Sequence, residues 1–250
     1  MGPWARGAVI AAGALALVIV EARPAHAMQI MEGFLPPLWC LAWFAVAAPF
    51  WLAGLRRAGR LVAERPEARP LLGLAAAFAF VLGTMTIPGA AGASAHPTGA
   101  GLGAVLFGPA VMALLGTVVL LFQALLLAHG GLTTLGANAV SAAIAGPIVA
   151  WAVWHGLRGR APAGLAVCLA AAAANLASGA VTALQLALAY PDPAGGVGAA
   201  FARFAALFAL AQVPLAIGEG LLTALIFRAL RAGAAPELEG LGALKGAGAP

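Results

Sequence analysis

The chain has 250 residues, 63% of them hydrophobic and only 8% charged, where a soluble domain carries about a quarter charged residues. With a mean hydropathy of +1.01, this composition excludes an ordinary water-soluble fold and makes the bilayer the solvent for most of the chain. The formal charge of +5 comes almost wholly from arginines in short clusters between apolar runs, with Lys245 the only lysine, which is a topology signal and speaks against nucleic-acid binding.

In chain order, residues 1–27 read as a cleavable signal peptide. Arg6 supplies a positive start, residues 8–20 form a 13-residue apolar run, and Ala25-His26-Ala27 matches the small-x-small pattern before a cleavage point. Such a run is short for a span, which needs about 20 residues. Cleavage after Ala27 leaves Met28 as the new N-terminus, with a free α-amine whose ordinary pKa is about 7.7–8.0. A neutral amine is a nitrogen donor for a divalent metal, and binding displaces its proton. The plainer reading is that processing here serves targeting alone.

Residues 28–231 form the transmembrane domain. Spans are expected at 36–54 and 70–87, joined by a loop with Arg56, Arg57, Arg60, Arg65 and Arg69 that belongs on the cytoplasmic side. Residues 88–100 are then external. The next arginines, Arg158 and Arg160, require an odd number of crossings before them. Three are placed at 101–116, 117–129 and 132–155, punctuated by Gly116 and by Gly130-Gly131. The first two are short, so one is expected to be broken or re-entrant inside protein.

Spans at 162–189 and 203–230 complete an all-α membrane fold of about seven helices. The mature N-terminus is expected outside and the C-terminus inside, with Arg203 the one external exception. Glycine and alanine dominate the helices and permit close helix approach. Residues 232–250, rich in Gly, Ala and Pro, read as a disordered cytoplasmic tail.

The candidate ligands on the external side are few. They are the Met28 amine, Gln29 and Glu32 in the first segment, and His96 in the second. Amine and imidazole nitrogens suit cobalt, nickel, copper or zinc better than magnesium or calcium; the plainer reading of a lone loop histidine is a polar residue and nothing more. His129 and His155 read as helix-end histidines near the cytoplasmic ends of their spans. Cys40 and Cys168 lie inside spans, form no CxxC pair and read as small apolar fillers. Gln123, Asn138, Asn175, Gln185 and Gln212 read as interhelical hydrogen-bonding groups. Glu219 is the only carboxylate deep in a span, either a buried helix–helix contact or a coupling group. No phosphate-binding GxxxxGK[ST] loop, HExxH or GxSxG motif is present, so the chain reads as a non-catalytic subunit.

Several blocks in order, MQIMEGFLPPLW (28–39), AHPTGAGLGAVLFGP (95–109), LLFQALLLAHGGLTTLGAN (120–138), LQLALAYPDP (184–193) and QVPLAIGEGLLTALIF (212–227), resemble the cobalt/nickel-binding S components of energy-coupling-factor (ECF) transporters, CbiM type. The resemblance implies the S-component fold and a metal held by the mature N-terminus: the Met28 amine, Gln29 and His96, carried over by position. The ion would be transported Co(II) or Ni(II), with no permanent cofactor. The implied partners are a transmembrane coupling (T) subunit, a pair of cytoplasmic ATPase subunits and often a small accessory membrane subunit. Cobalt taken up this way would feed cobalamin synthesis. At Gln29 the family pattern has histidine, and a carboxamide oxygen is a harder, weaker ligand for these ions. The alternative reading is therefore a metal-independent membrane scaffold that has kept the fold and lost its site. A vitamin-binding S component is disfavoured, because the external loops lack an aromatic and polar pocket lining.

Overall fold

The computed structural model describes residues 29–85, 87–88 and 94–241. The expected signal peptide, residues 1–27, and Met28 lie outside the described residues. Helix α1 (Pro37–Glu64) starts where Pro36-Pro37 supplies a preset φ and a first-turn position that needs no N–H. Its 28 residues reach about 42 Å, longer than a hydrocarbon core of about 30 Å, and so carry Arg56, Arg57 and Arg60 past the apolar layer. A single tight turn, Pro66–Ala68, reverses the chain into α2 (Arg69–Thr84). A two-residue antiparallel ladder follows, β1 (Ile87–Pro88) against β2 (Ser94–Ala95).

The short α3 (Ala100–Phe107) leads through Gly108 into α4 (Pro109–Leu127). Helix α5 (Leu135–Leu157) contains a π-helical stretch, Ala139–Ala145. Long helices α6 (Ala163–Ala189) and α7 (Gly196–Gly233) pack most extensively on each other, and α8 (Ala235–Gly240) closes the described chain. Six helices among the described residues are long and apolar enough to cross a membrane.

The seven expected spans differ from this at one place. The sequence reading broke residues 101–129 at Gly116, whereas the chain breaks at Gly108, φ +82°, just before Pro109. Gly116 lies inside α4 because Ala143 approaches it so closely that an added Cβ would sit 2.8 Å from the Ala143 Cβ. The eight residues of α3 make about 12 Å of helix, well short of a bilayer core. Its first seven residues are all buried, against α4, α5 and α6, and Phe107 and Gly108 line a cleft with Arg57, Trp154 and Arg158. Loop residues 96–99, buried except for the half-buried Thr98, join α3 in carrying the chain down the inside of the bundle, where irregular backbone is tolerated because protein surrounds it.

Alternation of the helices gathers the arginines between 56 and 69, between 158 and 160, and between 228 and 231 at one end. Arg65 and Gly240 lining a shared cleft reflects this. Arg203, near the other end, pairs with Asp192 at 2.7 Å. Small residues form the interior, such as Ala166, Ala170 and Ala174 of α6, while Leu38, Leu41, Leu210, Ile217 and Leu221 face outward. This inversion of a soluble core suits lipid as solvent and close packing inside.

Residues 232–241 are not the free tail that their composition suggested. Helix α7 runs through Gly233, and Leu238 of α8 is fully buried against a core that includes Leu71, Leu106, Trp154 and Phe227. Residues 242–250 lie outside the described residues.

Candidate metal centre

The segment after Met28 is held through both its backbone and its side chains. Ile30 N–H donates to Asn138 Oδ1 at 2.7 Å, and Asn138 Nδ2 donates back to the Ile30 carbonyl at 3.0 Å. Thr134 Oγ1 donates to the same carbonyl at 2.6 Å. Asn138 therefore treats Ile30 as a neighbouring strand would, satisfying both backbone groups of a residue that is 2% exposed. Glu32 accepts from the Thr133 hydroxyl at 2.5 Å and its amide at 3.1 Å, and these bonds hold its carboxyl below the usual range. Tyr190 donates to the Phe34 carbonyl.

Gln29 is thereby drawn inside, to 3% exposure. Its Nε2 donates to Gln123 Oε1 at 2.8 Å, whereas its Oε1 is buried with no partner. Gly130, at φ +78°, makes room for it: a Cβ there would lie 2.8 Å from Gln29 Oε1 and 3.0 Å from Asn138 Nδ2.

The second arm is residues 96–99. His96 is 2% exposed, with Nδ1 2.9 Å from the Pro97 carbonyl. A carbonyl only accepts, so Nδ1 carries the proton and Nε2 keeps its lone pair. That Nε2 is buried and has no partner. The loop is fixed by Glu219, itself 2% exposed, whose carboxylate accepts from Thr98 N–H at 2.8 Å, Thr98 Oγ1 at 2.9 Å, Gly99 N–H at 2.8 Å and Asn175 Nδ2 at 2.7 Å. A negative group at the start of α3 also opposes the positive end of that helix's dipole. Gly99, φ +65°, is needed because a Cβ there would come 2.5 Å from the Ala79 Cα.

Gln29 and His96 line one cavity of about 20 Å³, together with Gly83, Thr98, Met112, Gly116 and Gln123. That is room for a single water-sized guest. Among the described residues no three His, Cys, Asp or Glu side chains converge as a metal-holding group. An ion held here therefore needs amine, amide or backbone donors as well as imidazole.

Of the residues singled out in the sequence, the structure brings Gln29 and His96 together. It sets Asn138 and Glu219 behind them as the groups that hold their two segments; Met28 lies outside the described residues. His129 is where the sequence reading went astray. It stands at the same end of the bundle as Gln29, and its ring meets that of His96 edge-on, with centroids 4.7 Å apart. A signal was available: an outward crossing over 117–129 puts residue 129 on the side of Met28, just before the paired glycines.

The family described as "Cobalt uptake substrate-specific transmembrane region" (CbiM) matches residues 29–238. The cobalt transport protein CbiM of Roseiflexus sp. (strain RS-1) is 62% identical over 247 residues, 99% of each chain. That of Chlorobium limicola is 54% identical over 219 residues, covering 87% of this chain and 86% of its own. The crystal structure of a transition metal transporter superposes with a TM-score of 0.70 at 26% identity, over 82% of this chain and 92% of that one.

Proposed function

This chain belongs to the CbiM family of cobalt uptake transmembrane components, and from that premise we propose that it captures Co(II), with Ni(II) a close competitor, for import across the cell membrane. The observation that carries the reading is a buried convergence. Gln29 Oε1 and His96 Nε2, neither with a hydrogen-bond partner, belong to the two side chains that share the small cavity. Buried polar atoms left without partners call for a ligand, an ion or a water.

In this reading cleavage after Ala27 frees the Met28 amine. That amine, the residue-29 nitrogen and His96 Nε2 take the ion, and Gln29 Oε1 lies beside them. Nitrogen donors favour Co(II) and Ni(II) over harder cations. Asn138 and Glu219 position the two arms and touch no ion. Arginines gathered at one end support a cytoplasmic C-terminus and an external binding face. With no phosphate-binding loop in the sequence, the energy of transport comes from partners: ATPase subunits acting through a T subunit, with a small accessory membrane subunit.

A second reading, the metal-independent scaffold, draws support from the Gln29–Gln123 bond, which ties the residue-29 side chain into the protein. Calorimetric titration of purified, processed protein with Co(II) and Ni(II) separates the two. Binding by the wild type and its loss in His96→Ala is expected. No binding by the wild type gives the scaffold reading the lead. Altering Ala27 to block cleavage should abolish uptake while insertion persists; full uptake by the uncleaved form would remove the amine from the site.

A further inference from the structure

Two imidazoles meet at this centre, and the scheme above uses only one. The rings of His96 and His129 are 4.7 Å apart between centroids and inclined at 75°. Both Nε2 atoms are buried, and neither has a hydrogen-bond partner. Ring packing alone explains the contact poorly. Leaving a buried polar atom without a partner is costly, and two neighbouring imidazoles could cancel most of that cost by bonding to each other. They do not. Residue 29 meanwhile offers a carboxamide whose Nε2 is engaged by Gln123, so its side chain brings no nitrogen lone pair.

The spacing suits a shared ion. An ion about 2.0–2.1 Å from each of two imidazole nitrogens sets the ring centroids about 4.5 Å apart for a right-angle pair and about 5.1 Å for a tetrahedral one. The observed separation of 4.7 Å lies between these values. His129 is also anchored next to the rest of the site, because its neighbour Gly130 abuts Gln29 Oε1.

We propose that His129 is a direct ligand, supplying through Nε2 the nitrogen that the side chain of Gln29 does not, so that the ion is held by two imidazoles as well as by the N-terminal segment. This rests on the metal-capture reading above and adds a specificity-determining residue to it. Two imidazoles with amine nitrogen keep the preference for Co(II) and Ni(II) and raise the competition from Cu(II), since all three favour nitrogen donors.

The test is Co(II) loaded onto the processed protein in detergent, read by calorimetry and by X-ray absorption, which counts coordinated imidazoles. Wild type should show two and His129→Gln one. Affinity should fall at least about 100-fold, beyond the 10–100-fold typical when a group merely orients a ligand. The double variant Gln29→His/His129→Gln should recover two imidazoles, which also shows that the substituted protein is folded. An unchanged imidazole count in His129→Gln, with binding still lost in His96→Ala, overturns the proposal and leaves the metal-capture reading standing. No Co(II) binding by wild type, or full binding by His96→Ala, overturns both.

Discussion

Residues 29–35 and residues 96–99 both run irregular backbone among apolar helices, yet the two are held by different chemistry. The first is clasped by a neutral amide. Asn138 offers one acceptor and one donor to the two backbone groups of Ile30. The second is clasped by a carboxylate that takes four hydrogen bonds, from Thr98, Gly99 and Asn175. A neutral clasp can open at the cost of a few ordinary hydrogen bonds. A buried carboxylate stripped of its donors is far more costly. The His96 arm is thus held more firmly than the N-terminal arm.

Breaking the charged clasp should have the largest effect. Glu219→Ala leaves the Thr98 and Gly99 amides and the Asn175 amide without their acceptor and should cost about 4 kcal/mol, read as a large fall in the thermal midpoint followed by tryptophan fluorescence in detergent. A small fall would show that the loop is held by packing instead. Asn138→Ala should cost less, about 2–3 kcal/mol. It should weaken Co(II) binding more than Glu32→Gln does, because it frees the segment carrying residues 28 and 29; equal binding losses would show that Asn138 is not the principal clasp of that segment.

Gly130→Ala acts on the N-terminal arm alone. Left-handed backbone costs a residue with a Cβ about 1–2 kcal/mol, and the new methyl would press on Gln29 Oε1 and Asn138 Nδ2. Metal affinity should fall while the loop at 96–99 stays in place, checked by proteolytic sensitivity of that loop. The smallest effect belongs to Glu32. Its carboxyl sits below its ordinary pKa of 4.5 because Thr133 donates to it. The stability it contributes is therefore present above pH 4.5 and lost as pH falls through the lowered value. Glu32→Gln should lower the thermal midpoint by about 1 °C at pH 7 and by nothing once wild-type Glu32 is itself protonated.

Much of the fold was legible, because membrane insertion is governed by composition. Uncharged apolar runs marked α1, α2, α5, α6 and α7, and arginine clusters marked one end of the bundle. The break between α3 and α4 was not legible. Gly108 and Gly116 look alike in the sequence: one carries a turn at positive φ, and the other lets a neighbouring helix approach. Distinguishing them requires knowing that Ala143 packs there. In the site, Gln29, His96, Asn138 and Glu219 stood out as polar groups in or beside apolar surroundings. Their pairing, Asn138 with Ile30 and Glu219 with Thr98, joins residues more than 100 positions apart. No local pattern encodes such a match. His129 was misjudged for the same reason: its meaning lies in the ring it faces.

The π-helical stretch Ala139–Ala145 directly follows Asn138. Each residue of an α-helix turns the chain by about 100°, and a wider turn amounts to an extra residue lodged in the helix. The stretch therefore acts as a phase offset between the half of α5 that packs on α6 near Ala150 and Trp154 and the half that presents Asn138. Rewinding it as regular α-helix with all its residues kept would swing Asn138 by roughly a quarter turn. The core at the arginine end would keep its register while the clasp on Ile30 rotated out of reach. Helix phase is thus a setting of this site separate from side-chain identity, fixed by the winding of Ala139–Ala145 with every ligand still present.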